Sequence, residues 1–220
     1  MTRTRRTGDT LKAAHGGRSL DSSRNVALRE AALAVLAEMG YDRLTMDAVA
    51  ARARAGKTTI YRRWQSKAEL VVDALNSLKG EHDVPDTGSL RQDLHAMASD
   101  LINAESHLGA LTVGMVNALA HDAELRRVFR EKFIAPRMAG FRTVFERAVA
   151  RGEMPAGHDL DLLARLFPAL GLQELVMSGK LPDTRSALHI MDEIVYPLAT
   201  ASAAETRTAP DNLFEGSHSE

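Results

Sequence analysis

Apolar residues fall at helical spacing in a series of separate segments. In residues 24–39, Leu28, Ala32, Val35, Leu36 and Met39 share one face, which predicts a helix that Gly40 ends as a left-handed cap. Met46, Val49, Ala50 and Ala53 then repeat at the same period behind Thr45, whose side-chain oxygen suits an N-cap. A turn follows over 54–56, with Gly56 free of the Cβ penalty, and residues 57–64 predict about two turns of a second short helix with Ile60 and Trp64 inward. Ser66 and Glu69 form a capping box that opens a further helix to about residue 79, carrying Leu70, Val71, Ala74, Leu75 and Leu78.

The stretch 80–88, GEHDVPDTG, is rich in turn formers and marks a boundary. Beyond it the pattern stays helical over 90–107, 111–120, 122–150, 159–178 and 184–201, with Pro136 expected to kink or break the third of these. The last two segments hold more apolar positions than one face needs: Leu160, Leu163, Leu166, Phe167, Leu170, Leu175 and Val176, then Leu188, Met191, Ile194, Val195 and Leu198. They are expected to be buried on two sides, within the chain or against a second copy of it.

Charge changes the picture more than composition does. The net charge is −1, yet residues 1–80 hold 15 Lys/Arg against 8 Asp/Glu, or +7, and the remaining 13 against 21 give −8. A basic first part and an acidic remainder point to one module that meets nucleic acid and another that does not. Between residues 52 and 67 there are six Lys/Arg and no acidic residue. On the short helix of 57–64, the face opposite Ile60 and Trp64 carries Lys57, Thr58, Thr59, Tyr61, Arg62 and Arg63, the types that contact phosphates and base edges.

Glu38-Met39-Gly40-Tyr41, Thr45-Met46-Asp47-Ala48-Val49-Ala50, Lys57 through Trp64, and Ser66-Lys67-Ala68-Glu69-Leu70 together resemble the DNA-binding domain of TetR/AcrR bacterial transcriptional regulators. The resemblance covers about residues 24–75. Two positions depart from the family pattern: Arg54 stands where Gly is usual, and Gly56 where Ser or another capping residue is usual.

The resemblance implies an all-α fold, with an N-terminal three-helix helix-turn-helix domain followed by a larger C-terminal helical domain for ligand binding and dimerisation. The expected layout is a disordered basic tail at 1–23, the DNA-binding domain and connector helix at 24–80, the effector and dimerisation domain at 81–202, and a disordered tail at 203–220. Thr45, Lys57, Thr58, Thr59, Tyr61, Arg62, Arg63 and Lys67 are the expected DNA contacts. Lys57, Thr58 and Arg62 are assigned to base edges; Thr45, Tyr61 and Lys67 to phosphates, Lys67 as an exposed cation at a helix start. Arg3, Arg5 and Arg6 form a candidate minor-groove arm, with a solvated tail as the alternative.

The implied function is a ligand-responsive repressor, bound as a dimer to a palindromic operator and released by a small-molecule effector; an activator or dual regulator of the same fold is the alternative. The resemblance places the expected dimer interface in the last two long helices. For the unidentified effector, Met115, Phe133, Phe141, Phe145, Phe167 and Met177 are candidate apolar contacts, and Asn103, Asn117, His121, Arg137, Gln173 and Glu174 candidate polar ones. Each has ordinary core or surface as its competing role.

Other classes find less support. Residues 51–58 fit a relaxed phosphate-binding loop, but such a loop follows a strand and wraps phosphate with Gly-rich backbone, whereas here the preceding segment is helical and the loop holds Arg and Ala. There is no cysteine, hence no thiolate nucleophile or thiolate metal site, and neither a G-x-S-x-G elbow nor an H-E-x-x-H pair is present. No cofactor, metal or enzymatic activity is expected. A non-specific DNA-packaging role calls for more positive charge. With no apolar run near the ~20 residues of a membrane span, the chain is expected to be cytoplasmic.

Overall fold

The computed structural model describes residues 14–78, 83–105, 109–180 and 182–202, with side chains described outside 14–22 and 103–114. All regular elements among them are helical: α1 (Ala14–Arg43), α2 (Met46–Arg52), α3 (Lys57–Tyr61), α4 (Lys67–Ser77), α5 (Leu90–Glu105), α6 (Gly109–His121), α7 (Ala123–Phe129), α8 (Ala135–Arg151), α9 (Leu160–Ser178), α10 (Thr184–Ile190) and α11 (Tyr196–Thr200). Single π-helical turns, Arg130–Ile134 and Met191–Val195, precede α8 and α11. The chain divides into two units, one built from the chain up to Ser77 with Gly114–Phe129, the other from Leu78–Val113 and the chain from Arg130 onward.

In the first unit α1 begins ten residues earlier than the apolar period indicated, at Ala14 rather than 24, so part of the expected disordered tail is helical. The candidate arm of Arg3, Arg5 and Arg6 lies outside the described residues, as does the stretch 203–220. Gly40 takes a positive φ of 75° and ends the first stretch of α1 as expected, but its ψ of 169° lies outside the left-handed helical region, and a second short helical stretch follows across the kink. That conformation is open to Gly because it lacks a Cβ. Leu28, Ala32, Val35 and Leu36 are buried as their shared face requires, whereas Met39, just before the kink, is turned outward.

Val49 and Ala50 of α2, Ile60 of α3, Trp64, and Ala68, Leu70, Val71, Ala74 and Leu75 of α4 complete this core. Asp73 on α4 fastens three parts of it, accepting from Arg29 Nε at 2.9 Å and from Trp64 Nε1 at 3.0 Å. The segment Gly114–Phe129 joins the unit because Met115, Ala118, Leu125 and Val128 are buried. Burial, with the nearby Asp122 carboxylate, holds the Tyr41 hydroxyl well above the usual tyrosine pKa.

The second unit packs α5, α8, α9 and the last helices around Leu90, Leu94, Phe141, Phe145, Phe167, Met191 and Val195. Its termini are tied by charge. Asp93, fully buried, accepts from Thr87 N and Thr87 Oγ1 at 2.7 Å each and from Arg151 at 3.3 Å. Glu153 accepts from Leu90 N at 2.6 Å, satisfying a donor at the start of α5 from 63 positions away. The helical path does not break at Pro136: residues 123–151 run on through the first π turn, which ends just before it, and Pro197 stands in the same place after the second. In both cases the proline falls in the first turn of the next helix, where its missing N–H costs least.

Candidate nucleic-acid interface

The α2–turn–α3 segment is held by local caps that the sequence encodes. Thr45 has extended backbone and its Oγ1 accepts from Ala48 N at 3.1 Å, starting α2. The turn differs from expectation. Arg54, with φ 51°, is its left-handed residue, while Gly56 sits at φ −71° and ψ 146° as the N-cap of α3, with no side-chain oxygen to offer. Gly is the usual occupant of a positive φ, so residue type alone pointed to the wrong position.

Helix α3 is also shorter than the eight residues expected, covering Lys57–Tyr61, although Arg62 keeps helical angles of φ −66° and ψ −26°. Ile60 and Trp64 are buried, which turns Lys57, Thr58, Tyr61, Arg62 and Arg63 to the outside. Tyr61 is 52% exposed, unusual for its size. Thr59 is half-buried on the flank of this face. Lys57 donates to Asp47 at 2.5 Å, and that carboxylate raises the ammonium's pKa. Of the expected contacts, Lys57, Thr58, Tyr61, Arg62 and Arg63 are therefore outward at α3 and just after it, with a carboxylate beside the first cation.

Lys67 is the exception in kind. It is not the freely exposed cation expected at the start of α4: it is half-buried, with Nζ 4.3 Å from the Tyr41 ring centroid and donating to the Tyr41 carbonyl at 3.2 Å. The capping box around it is offset as well. Ser66 Oγ accepts from Glu69 N, but Glu69 reaches back to Gln65 N at 2.9 Å.

The candidate effector residues fall in both units. Met115 is buried and Asn117 and His121 are exposed in the first unit; Asn103 belongs to α5 of the second, its side chain outside the described set. Phe133, Arg137, Phe141, Phe145 and Phe167 are buried in the second unit, while Gln173, Glu174 and Met177 lie on the exposed side of α9. Phe141 and Phe167 pack on each other with centroids 6.4 Å apart. Arg137 stacks on the Phe133 ring at 3.4 Å, donates to the Phe133 carbonyl at 2.7 Å, and lines a space of about 40 Å³ with Met97, Leu101 and Gly140. Such a volume holds a water or two, far below the ~300 Å³ of a small-molecule site, so a larger ligand requires this core to open. Among the described residues no group of three or more His, Asp or Glu is placed to hold a metal ion, and no helix is long and apolar enough to cross a membrane.

Sequence comparison places both segments. The family described as "Bacterial regulatory proteins, tetR family" matches residues 28–74, and "Tetracyclin repressor-like, C-terminal domain" matches residues 84–194. A DNA-binding transcriptional repressor TetR of Mycobacteroides abscessus is 39% identical over 184 residues, 82% of this chain and 96% of the relative. An uncharacterised HTH-type transcriptional regulator of Mycobacterium tuberculosis is 36% identical over 185 residues, 82% of this chain and 90% of the relative. Among solved structures, a TetR transcription regulator from Haloarcula marismortui superposes with TM-score 0.62 at 17% identity, covering 81% of this chain and 98% of the other. The transcriptional regulator FadR from Bacillus subtilis in complex with stearoyl-CoA gives TM-score 0.61 at 17% identity, covering 79% and 97%. With both of its halves matched and its helix-turn-helix face built as described, the chain belongs to the TetR family of bacterial transcriptional regulators.

Proposed function

We propose that this regulator is a ligand-responsive repressor that binds a palindromic operator as a homodimer and leaves it when a small-molecule effector enters the second unit. The observation that carries the DNA half is the outward face of α3, where Lys57, Thr58, Tyr61 and Arg62 stand opposite the buried Ile60 and Trp64. Lys57, Thr58 and Arg62 have the donors to read base edges, while Thr45, Tyr61 and Lys67 are suited to phosphates.

A single α3 offers few contacts. Two of them in successive major grooves, about 34–36 Å apart, read a two-fold symmetric site. Leu162, Leu172, Val176 and Met177 of α9 and Leu198 of α11 are exposed, Met177 by 72%, an apolar set that supports pairing through the last helices. The relative named as a repressor supports the sign of regulation. The FadR structure holds an acyl-CoA in a protein of this fold, which supports a small-molecule effector here. The effector acts by binding the off-DNA conformation better, with a coupling of typically 1–3 kcal/mol.

Fluorescence anisotropy on duplex DNA from upstream of the regulator's own gene, against shuffled DNA of equal length at about 0.15 M salt, tests this reading. Tight binding to the upstream duplex alone supports it. A protein that remains monomeric by sedimentation at all concentrations contradicts the dimer.

A further inference from the structure

The turn between α2 and α3 is backed by a cleft of about 200 Å³, lined by Arg24, Ala27, Ala53, Arg54, Ala55, Gly56 and Thr59. Three alanines and a glycine leave it open. Its polar side chains are two guanidinium groups and one hydroxyl, with no carboxylate in the lining. Nearby basic residues are neutralised: Arg29 by Asp73, Arg52 by Glu38 and Lys57 by Asp47. Among the described residues Arg24 and Arg54 are joined to no carboxylate, although the cleft brings them together.

Arg54 carries a second mark. It is the one non-glycine among the described residues with positive φ, a conformation that strains any L side chain. Glycine would hold this turn without strain, so what Arg supplies in exchange is its guanidinium. Two arginines and a threonine lining one open cleft supply the kinds of donor that a phosphate's oxygens accept.

We propose that this cleft binds a DNA backbone phosphate at the flank of α3, with Arg54 and Arg24 donating to its oxygens and Thr59 as a further donor. The contact lies beside the exposed face of Lys57, Thr58, Tyr61 and Arg62 and carries no sequence information. It rests on the DNA-binding reading above. Thr59, half-buried and lining the cleft, thereby joins the phosphate set.

The test compares the full-length wild type with Arg54→Gly, Arg24→Ala and the double variant, on the preferred operator and on shuffled duplex. Arg54→Gly relieves the strain while removing the cation, so its thermal midpoint is expected at or above that of the wild type. Its affinity is expected to fall roughly tenfold on both DNAs, with the slope of log K against log salt smaller by about 0.9. The double variant should lose less than the product of the single losses, because both arginines hold one phosphate.

Wild-type affinity and salt slope in Arg54→Gly overturn the proposal, as does an affinity loss that tracks a lowered midpoint. If calorimetry shows pyrophosphate binding the wild type but not Arg54→Gly while DNA affinity is unchanged, the cleft serves a free anion and the DNA assignment is wrong. A wild type that does not distinguish operator from shuffled duplex is a different failure, that of the underlying reading.

Discussion

The Lys67 ammonium rests 4.3 Å from the centre of the Tyr41 ring and donates to the Tyr41 carbonyl, 26 positions earlier in the chain. One cation thus holds the kinked end of α1 to the start of α4. Lys67→Ala should therefore act twice. It should cost about 0.5–1 kcal/mol of folding stability through the lost ring contact. As a phosphate contact it should also weaken all DNA sequences alike and reduce the salt slope by about 0.9. Arg62→Ala is the contrast: it should cost roughly 1–3 kcal/mol at one base pair of the operator and relax specificity there. Binding to a set of single-base operator variants separates the two, and an even loss in both mutants would contradict the assignment.

Asp47 holds Lys57 at 2.5 Å on the face proposed to meet DNA. A carboxylate there repels phosphates and occupies a base-reading cation in the free protein. Asp47→Asn should raise affinity for shuffled DNA more than for the operator, narrowing specificity, with the gain largest at low salt. Unchanged non-specific affinity would mean that Lys57 does not approach DNA.

Gly56 caps α3 with extended backbone but no side-chain acceptor. A Cβ built there meets only Thr59 Oγ1, at 3.9 Å, which is ordinary contact. Gly56→Ser should gain a capping bond and lose some freedom in the unfolded chain, stabilising the protein by about 0.5–1 kcal/mol in chemical denaturation.

Asp192 ties the second π turn to α5, accepting from Arg91 Nε at 2.8 Å and His95 Nε2 at 2.7 Å. The Arg91 hydrogen bond, helped by His95, pulls its pKa down to about 2. Because the folded value lies below the unfolded value of about 3.9, the stabilisation is present above that pH and is lost as pH falls toward the folded value. Thermal midpoints of wild type and Asp192→Asn should differ at neutral pH and converge as pH drops from about 4 to about 2. A constant gap would show that Asp192 acts by shape alone.

What was legible in the chain was what short-range chemistry decides. Thr45 as a cap and Ile60 and Trp64 as the inward pair follow from residue type and register, and both are present. The left-handed residue at 54 was not legible, because glycine two positions later satisfies the same local rule and only the packed turn selects between them. Nor was the seat of Lys67 on Tyr41, or Asp73 bridging Arg29 and Trp64, since those partners lie 9 to 44 positions apart. Residue type does not separate effector contacts from core for the same reason: Phe141 and Phe167 are apolar at helical spacing in either role, and they pack within the core of the second unit.

The central claim is that two copies of α3 read a symmetric DNA sequence. Selection from a random duplex library at about 0.15 M salt, followed by sequencing, tests it most directly. The account predicts an enriched inverted repeat whose half-sites lie one helical turn, or a multiple of one, apart, with the enrichment altered at one position of each half by Arg62→Ala. A library that retains DNA without enriching any motif would contradict it.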